Sequence, residues 1–304
     1  MNNLLYLIYG NGENVNEAIY SILSIYKIHP DDNIRTHIYT DREDLFPSWM
    51  RESPRFVLHT KSADEIKQWQ HPIGLSHRAK IKAIEDFFLT NEGNVLYLDS
   101  DTYLIKNILP LFDRISGGEL VMHLNEGSLR KGRKDSKNDS IARKMEAFFD
   151  KYQYLERNGQ KKNIPAESYM WNAGVIGMNK KHQHLLSDVL FLTDTIFPNL
   201  PNHTIEQFAF SYIFQTHQPI LPASPYILHY WKFKEYRIIL ESFFQRFNKE
   251  FETELLEKME LVNPAILIEP KLKYTNLPGW RRAIRKVLGT RWKLFNPLEG
   301  QSEQ

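Results

Sequence analysis

The chain has 304 residues, of which 42% are hydrophobic and 25% are charged, and its formal net charge is +2. This is ordinary globular composition, long enough for one large domain with appendages or for two domains, and the balanced charge gives no reason to expect nucleic acid as a partner. The absence of cysteine excludes disulfides and thiolate zinc sites and suits a reducing compartment.

Neither a leader nor a membrane span is predicted from the sequence. The N-terminal stretch MNNLLYLIYGNG lacks the basic region and the full-length apolar core of a signal peptide. The apolar runs all fall short of the roughly 20 residues that cross a bilayer. We therefore expect a cytoplasmic protein, either soluble or peripheral at the inner face of the membrane.

The first hundred residues are predicted to alternate strands and helices. Strand-like apolar runs lie at Leu4–Tyr9, Arg35–Tyr39 and Phe56–His59. Helical spacing covers Asn16–Tyr26 and His77–Thr90, the second with Ser76 as its N-cap. Such alternation indicates an α/β fold, with a mostly parallel sheet and helices on its faces. In these sheets ligands bind beyond the carboxyl ends of the strands.

The next strand, NVLYL at 94–98, runs directly into Asp99 and Asp101. Two adjacent carboxylates repel each other unless a cation lies between them. Mg²⁺ and Mn²⁺ prefer carboxylate oxygen and keep coordination positions for phosphate oxygens. The motif therefore predicts a metal–diphosphate site.

A phosphatase of the haloacid-dehalogenase type is the alternative for this motif. It also has Asp-x-Asp after an apolar strand, and Asp99 would then be its nucleophile. In that class the motif normally opens the domain and is followed by Gly-Thr or a similar pair. Here it comes a hundred residues into the chain and Thr102-Tyr103 follows, so the metal–diphosphate interpretation is favoured.

The composition changes between residues 125 and 167, where polar stretches flank a predicted helix at Ile141–Leu155. This polar insertion is either a mobile lid or acceptor loop or a solvated addition without a role. A strand-like run at 168–179 resumes the core, and helices are predicted at His182–Phe197 and Ile205–Phe214.

The segment HRAKIKAIEDFFLTNEGNVLYLDSDTYL, residues 77–104, resembles the donor site of the GT-A glycosyltransferases. Further segments resemble other parts of that family in the expected order: LLYLIYGNG, HIYTD, WNAGVIGMN, TIEQFAFSYIF and YILHYWK. The last is similar to the late metal-binding segment of the retaining branch that includes glycogenin and bacterial lipopolysaccharide sugar transferases. Tyr230-Trp231-Lys232 replaces the usual Gly and Lys-Pro-Trp arrangement, which leaves the subfamily and the stereochemistry open.

Over residues 1–235, the resemblance implies a metal-dependent hexosyltransferase of bacterial polysaccharide biosynthesis. Its donor would be a nucleotide-diphosphate sugar, expected to be a UDP-sugar, and its acceptor a glycan or a lipid-linked glycan. A non-catalytic binder of nucleotides or carbohydrates on the same scaffold is the alternative from another class.

The resemblance also implies a set of site residues. Mn²⁺ or Mg²⁺ would be held by Asp99, Asp101 and His229. The donor would contact Tyr9, Asp41, Arg78, Lys82, Asp99, Asn172 and Gly174, and Glu206 and Gln207 would be catalytic.

Each of these side chains also has an ordinary structural explanation. Arg78 and Lys82, four apart on one helix face, would simply be solvated cations, and Asp41 a strand cap. Gly174 would mark tight packing, Glu206 a helix-dipole effect, and His229 an ordinary buried histidine.

Residues 1–240 are predicted to form the catalytic domain and residues 241–304 a helical C-terminal extension. Residues 271–295 of this extension carry eight Lys or Arg and no acid. From Trp280 onward apolar residues recur at helical spacing, as in a basic amphipathic helix at a membrane surface. The alternative is that the apolar stripe docks on the catalytic domain.

Overall fold

The structure is a computed structural model that describes residues 2–10, 12–30, 34–129, 140–155, 159–165 and 167–299. The strands are β1 (Asn2–Ile8), β2 (Ile34–Thr40), β3 (Phe56–Thr60), β4 (Asn94–Leu98), β5 (Thr102–Leu104), β6 (Leu120–Met122), β7 (Asn125–Ser128), β8 (Tyr154–Leu155), β9 (Lys161–Lys162), β10 (Tyr169–Trp171), β11 (Val175–Asn179), β12 (Ile220–Pro222) and β13 (Ile227–His229).

The helices are α1 (Glu13–Ile28), α2 (Ser48–Glu52), α3 (Ala63–Gln70), α4 (Arg78–Thr90), α5 (Leu109–Gly117), α6 (Ser140–Phe149), α7 (His184–Ile196), α8 (Ile205–His217), α9 (Tyr236–Arg246), α10 (Glu252–Lys258), α11 (Pro264–Leu267), α12 (Glu269–Thr275) and α13 (Gly279–Val287). Short 3₁₀ turns lie at Glu43–Leu45, Lys180–His182 and Met259–Val262.

In the described part of the chain the main sheet has seven strands, in the order β12-β6-β11-β4-β1-β2-β3. β1 pairs in parallel with β2 and β4, β2 with β3, and β12 with β6, whereas β11 runs antiparallel to β4 and β6. The predicted α/β class, a mostly parallel sheet flanked by helices, is confirmed. Because β1 and β4 are parallel neighbours, the loops that follow them lie at the same edge of the sheet.

Apolar side chains on both faces of the sheet form two cores. Alternate residues of a strand point to opposite faces. Val95 and Tyr97 of β4 therefore pack into the core that includes α4, α7 and α8. Leu96 and Leu98 pack into the core that includes α1 and α9. A strand buried on both faces appears in the sequence as a continuous apolar run, which is why β4 was recognisable.

The predicted helical C-terminal extension is present and shares the second core. Leu255 of α10 and Met259 are fully buried there, and the Tyr20 hydroxyl of α1 donates to the Met259 carbonyl at 2.7 Å. Near the end of the chain, Trp292 and Leu294 pack against the same core. The predicted domain boundary at residue 240 falls inside α9 and stays a prediction.

Two element predictions are corrected by local hydrogen bonding. The residue at the N-cap of α4 is His77, without a side-chain capping bond, and Ser76 does not cap the helix. The run 168–179 forms two strands instead of one. The Asn172 carboxamide oxygen accepts from the Gly174 N–H at 3.0 Å, which makes a turn between β10 and β11.

The predicted polar insertion is partly integrated into the fold. Its helix α6 ends at Phe149, earlier than predicted, and the Phe149 ring stacks on Phe208 of α8 at 4.9 Å. β7 pairs with β10 in an antiparallel ribbon. Residues 130–139, 156–158 and 166 of the insertion lie outside the described residues.

Candidate functional site: a cleft at the strand ends

A cleft of about 560 Å³ opens where β1 and β4 end. Tyr9 follows β1 and Asp99 follows β4, and both line this cleft. The Tyr9 hydroxyl donates to the Ser76 carbonyl at 3.3 Å and accepts from the Gln70 amide at 3.4 Å. These bonds place the ring of Tyr9 at the cleft wall. The location agrees with the general position of ligand sites in open α/β sheets.

Asp99, Asp101 and His229 converge in this cleft, with one potential ligand atom of each within 4.8 Å of the others. Strand register brings them together, because β13 pairs with β5 so that His229 lies opposite Thr102. The Tyr230 N–H donates to the Asp101 carbonyl at 2.9 Å and continues the ladder. His229 lies 130 residues after Asp99 and 128 after Asp101, and the three side chains meet only through this pairing.

Hydrogen bonds fix the orientation of the His229 ring. Its Nδ1 lies 2.7 Å from the Asn172 carboxamide oxygen, which also accepts from the Gly174 N–H. Nδ1 therefore carries a proton, and Nε2 points to Asp101 Oδ1 at 3.0 Å and to Asp99 Oδ2 at 3.9 Å. The approach requires glycine at position 174, since a Cβ there would lie 2.1 Å from His229 Cε1.

This donor set fits a hard divalent cation. Two carboxylates and one imidazole nitrogen are ligands that suit Mn²⁺ or Mg²⁺. His229 Nε2 and Asp101 Oδ1 lie 3.0 Å apart. Two atoms that both carry lone pairs repel each other at this distance unless a proton or a metal ion is shared between them. The prediction of Asp99, Asp101 and His229 as metal ligands is thus compatible with the geometry.

Two cationic side chains lie near these carboxylates, Lys234 in the loop after β13 and Arg237 in α9. Lys234 Nζ lies 2.7 Å from Asp101 Oδ2, and Arg237 of α9 also lines the cleft. Burial raises the pKa of Asp101, but His229 and Lys234 outweigh it and hold that pKa well below its usual range. Asp101 is therefore ionised at neutral pH.

Lys80 of α4 is buried at the floor of the cleft. Its Nζ lies 3.2 Å from Asp99 Oδ1 and 3.4 Å from Glu206 Oε1, and it donates to the Ala173 carbonyl at 3.0 Å. Burial lowers the pKa of Lys80, but Asp99 and Glu206 outweigh it and raise that pKa. The ammonium group is therefore charged and links the two carboxylates.

Glu206 and Gln207, the predicted catalytic pair, both line the cleft. Glu206 is 1% exposed, and burial raises its pKa to about 7 against the opposing charge of Lys80. Gln207 donates to a Glu126 carboxylate oxygen at 2.9 Å, and Asn172 donates to the other oxygen at 3.3 Å. Glu126 thus holds both amide side chains at the cleft wall.

Three predicted donor residues are placed outside the cleft. Arg78 forms a two-bond ion pair with Asp194 at 2.7 and 2.9 Å, and Lys82 pairs with Glu85 at 2.6 Å. Asp41 accepts from the Gly10 N–H at 3.1 Å and closes the turn after β1. None of the three is among the lining residues of the described chain, and their donor role stays a prediction.

Sequence reasoning missed Lys80, Glu126, Lys234 and Arg237, all of which line the cleft. A signal existed only for Lys80. It lies four residues before Ile84 of α4, in phase with the buried stripe, and a lysine on a buried helix face is rarely found without a partner. For the other three residues nothing in the sequence distinguishes them from ordinary surface charges.

No helix of the described residues is long and apolar enough to cross a membrane. The exposed residues of α13 include Trp280, Ile284 and Val287. Among the described residues of α13 none is buried, so its apolar stripe does not dock on the body of the protein.

No protein-family model matches this chain, and no curated protein does. The chain is similar to solved structures of glycosyltransferases. One is galactosyltransferase LgtC in complex with donor and acceptor sugar analogs, at 14% identity over 69% of each chain, with a TM-score of 0.44. Another is mouse xyloside xylosyltransferase 1 in its apo form, at 14% identity over 73% of this chain and 85% of that one, with a TM-score of 0.46.

A third is the apo form of the glycosyltransferase GlyE of Streptococcus pneumoniae, at 14% identity over 84% of this chain and 51% of that one, with a TM-score of 0.43. At such identities and TM-scores, the activity of this chain has to be inferred from its own side chains.

Proposed function

We propose that the protein transfers a hexose from a nucleotide-diphosphate sugar, expected to be a UDP-sugar, to a hydroxyl group of a glycan or lipid-linked glycan. One observation carries this proposal: Asp99, Asp101 and His229 converge beside Lys234 in a cleft at the carboxyl ends of parallel strands. That the enzyme is bacterial and acts in polysaccharide biosynthesis is proposed from the sequence resemblance alone.

The metal ligands would be Asp99, Asp101 and His229. When bound there, Mn²⁺ or Mg²⁺ supplies Lewis-acid stabilisation of the negative charge on a departing nucleoside diphosphate. The Asn172 carboxamide oxygen holds His229 Nδ1 at 2.7 Å, so the imidazole is oriented before any ligand arrives. Such outer hydrogen bonds commonly determine the affinity of a metal site.

Lys234 and Arg237 are suited to bind the phosphate oxygens of the donor. The side chain of Lys234 is 55% exposed and that of Arg237 is 32% exposed, so both can reach a ligand in the cleft. Cationic side chains form charge-assisted hydrogen bonds with phosphate that are about twice as strong as neutral ones.

Glu206 and Gln207 would act on the sugar. Glycosyl transfer develops positive charge at the anomeric carbon, and a carboxylate in a cleft shielded from water stabilises such charge. In an inverting reaction Glu206 would instead take the proton of the acceptor hydroxyl, a task for which a pKa of about 7 is well matched. The proposed roles of Glu206 are therefore compatible with both retention and inversion at the anomeric carbon.

The decisive experiment measures UDP release from UDP-sugars in single turnover, with and without Mn²⁺. We expect release that depends on Mn²⁺ and falls at least tenfold in Asp101→Asn. Asp113→Asn, the same substitution at an exposed residue of α5 outside the cleft, is the matched control and should retain wild-type release. Binding of UDP and Mn²⁺ without release would indicate the non-catalytic binder instead. A covalent phosphate on Asp99 without need for a nucleoside would indicate the phosphatase.

We also propose that the protein works in the cytoplasm, peripheral at the inner face of a membrane that presents a lipid-linked acceptor. Exposed apolar residues of α13 alternate with Arg281, Arg282 and Arg285, and basic residues near an anionic leaflet contribute about 1 kcal/mol each. The double substitution Trp280→Glu and Ile284→Glu should abolish co-sedimentation with vesicles containing phosphatidylserine. Equal partition of this variant and wild type would refute the membrane role.

A further inference from the structure

A short segment of the chain carries three of the groups proposed to bind the donor and its metal. This cleft segment, residues 229–237, contains His229, Lys234 and Arg237, and only its last two residues belong to a helix. Beyond β13 its backbone hydrogen bonds are mostly local turns, such as that from the Phe233 N–H to the Tyr230 carbonyl at 2.7 Å, which shape the segment without fixing its place against the cleft. Its position therefore depends on what packs behind it.

The far side of the cleft segment is covered by the C-terminal part of the chain. Phe233 is fully buried, and its ring meets the ring of Trp292 edge-on with centroids 6.0 Å apart. The ammonium group of Lys271, in α12, lies 5.8 Å from the Phe233 ring centroid and 5.2 Å from that of Trp292. The same ammonium group pairs with Glu235 at 2.5 Å.

These contacts alternate along the segment with the groups that face the cleft. Phe233 and Glu235 contact the C-terminal residues, whereas Lys234 between them reaches Asp101 at 2.7 Å. Arg237 donates to Glu17 Oε2 at 3.0 Å and lines the cleft. A shift of Phe233 or Glu235 must therefore move Lys234.

The C-terminal residues that make these contacts are themselves anchored. Trp292 packs against the core that includes α9, and the Asn296 amide donates to the Ser242 hydroxyl at 3.1 Å. The helix α13, in contrast, lies between Lys271 and Trp292 without a buried residue. The tail therefore touches the body at both ends of α13 and leaves the helix itself free.

We propose that Trp292 and Lys271 are positioning residues for donor binding, which hold Lys234 and Arg237 in place through Phe233 and Glu235. The inference rests on the proposed function, in which these cations bind the diphosphate. It assigns to the tail a second role besides membrane contact. Trp292 would position the cleft segment, and Trp280, on the exposed helix α13, would contact the membrane.

The test compares tryptophan substitutions in the full-length protein. Trp292→Ala should weaken UDP binding in the presence of Mn²⁺ about tenfold by calorimetry, because displacements of about 1 Å in a site carry effects of that size or larger. The KM for the donor should rise by the same factor, while kcat at saturating donor changes less than twofold. Trp292→Phe, which keeps an aromatic edge against Phe233, should restore most of the affinity.

Two controls separate positioning from general stability. Trp280→Ala removes the same residue type from the exposed helix and should bind UDP as wild type does. Met50→Ala removes a buried side chain of α2 that lines no part of the cleft. It should lower the melting temperature without changing the affinity for UDP. If Trp292→Ala does not fold, Lys271→Met, which removes no core side chain, should weaken binding severalfold.

Wild-type affinity in a folded Trp292→Ala or Lys271→Met variant would overturn the inference and leave the proposed function intact. An equal loss of affinity in Met50→Ala would also overturn it, since the effect would then follow stability alone. If wild type itself does not bind UDP with Mn²⁺, the proposed function fails, and the positioning role fails with it.

Discussion

Substitution of Gly174 by alanine should disable the metal site through a single contact. The new Cβ would lie 2.1 Å from both Cε1 and Nδ1 of His229. Ordinary contact begins at 3.4 Å, so the ring would have to move by about 1.3 Å, the difference between these distances. The backbone of Gly174 is not in the left-handed region, and the three atoms nearest to the new Cβ all belong to the His229 ring.

The expected loss follows from the two bonds that such a movement breaks. His229 would leave the Asn172 oxygen at 2.7 Å and lose its alignment with Asp101 at 3.0 Å. Disturbance of such supporting contacts typically reduces metal affinity about 10–100-fold, which corresponds to roughly 1.4–2.8 kcal/mol. Calorimetric titration of the apo protein with Mn²⁺ in the presence of UDP measures this change directly.

Two further variants sharpen the Gly174 experiment. Gly117→Ala at the end of α5, where a Cβ meets nothing within 4 Å, should leave Mn²⁺ affinity unchanged. Once His229→Ala has removed the ring, Gly174→Ala should have no additional effect on affinity, because the two changes act through one contact. Wild-type Mn²⁺ affinity in Gly174→Ala alone would refute the assignment of His229 as a ligand.

The remaining predictions concern the charges of the cleft. Lys80→Met leaves Asp99 and Glu206 without their shared cation and should lower the free energy of unfolding by about 3–5 kcal/mol in urea titrations; a change below about 1 kcal/mol would contradict its bridging role. Lys234→Met should raise the Kd for UDP about tenfold or more, the value of a charge-assisted hydrogen bond, and an unchanged Kd would place the diphosphate elsewhere. Glu206 has a folded-state pKa of about 7, above its usual 4.5. Between these two pH values the folded state therefore holds a proton on Glu206 that the unfolded state has lost. The free energy of unfolding should fall as pH rises from about 4.5 to about 7, by about 3 kcal/mol at most. Glu206→Gln in EDTA should lack this part of the pH dependence, and identical profiles of melting temperature against pH would show that Glu206 does not titrate there.

The part of the site that could be predicted from the sequence lies where local pattern and chemistry coincide. Asp99 and Asp101 follow a strand buried on both faces, and the edge of a parallel sheet is where ligands bind. His229, Asn172 and Gly174 were identified only through a resemblance of sequence. The structure explains their association by the pairing of β13 with β5 and by the turn before β11.

The choice among the basic residues of α4 could not be made from spacing. Arg78 and Lys82 share a helix face, as do other residues four apart, but the spacing does not say which face meets the cleft. The helix packs so that Lys80 points to Asp99, while Arg78 reaches Asp194, 116 residues away. Rotation of a helix about its axis is set by the packing of its apolar side chains on the sheet, and α4 has buried residues on more than one side.

The sequence by itself determined the alternation of strands and helices, the acidic end of β4 and the amphipathic basic character of α13, because periodicity and charge are local properties. Only the tertiary structure decided which cations line the cleft, that α13 is left without a docking surface, and that Trp292 packs against Phe233. Those outcomes depend on contacts between residues far apart in the chain, and their geometry is set by the packing of whole elements against one another.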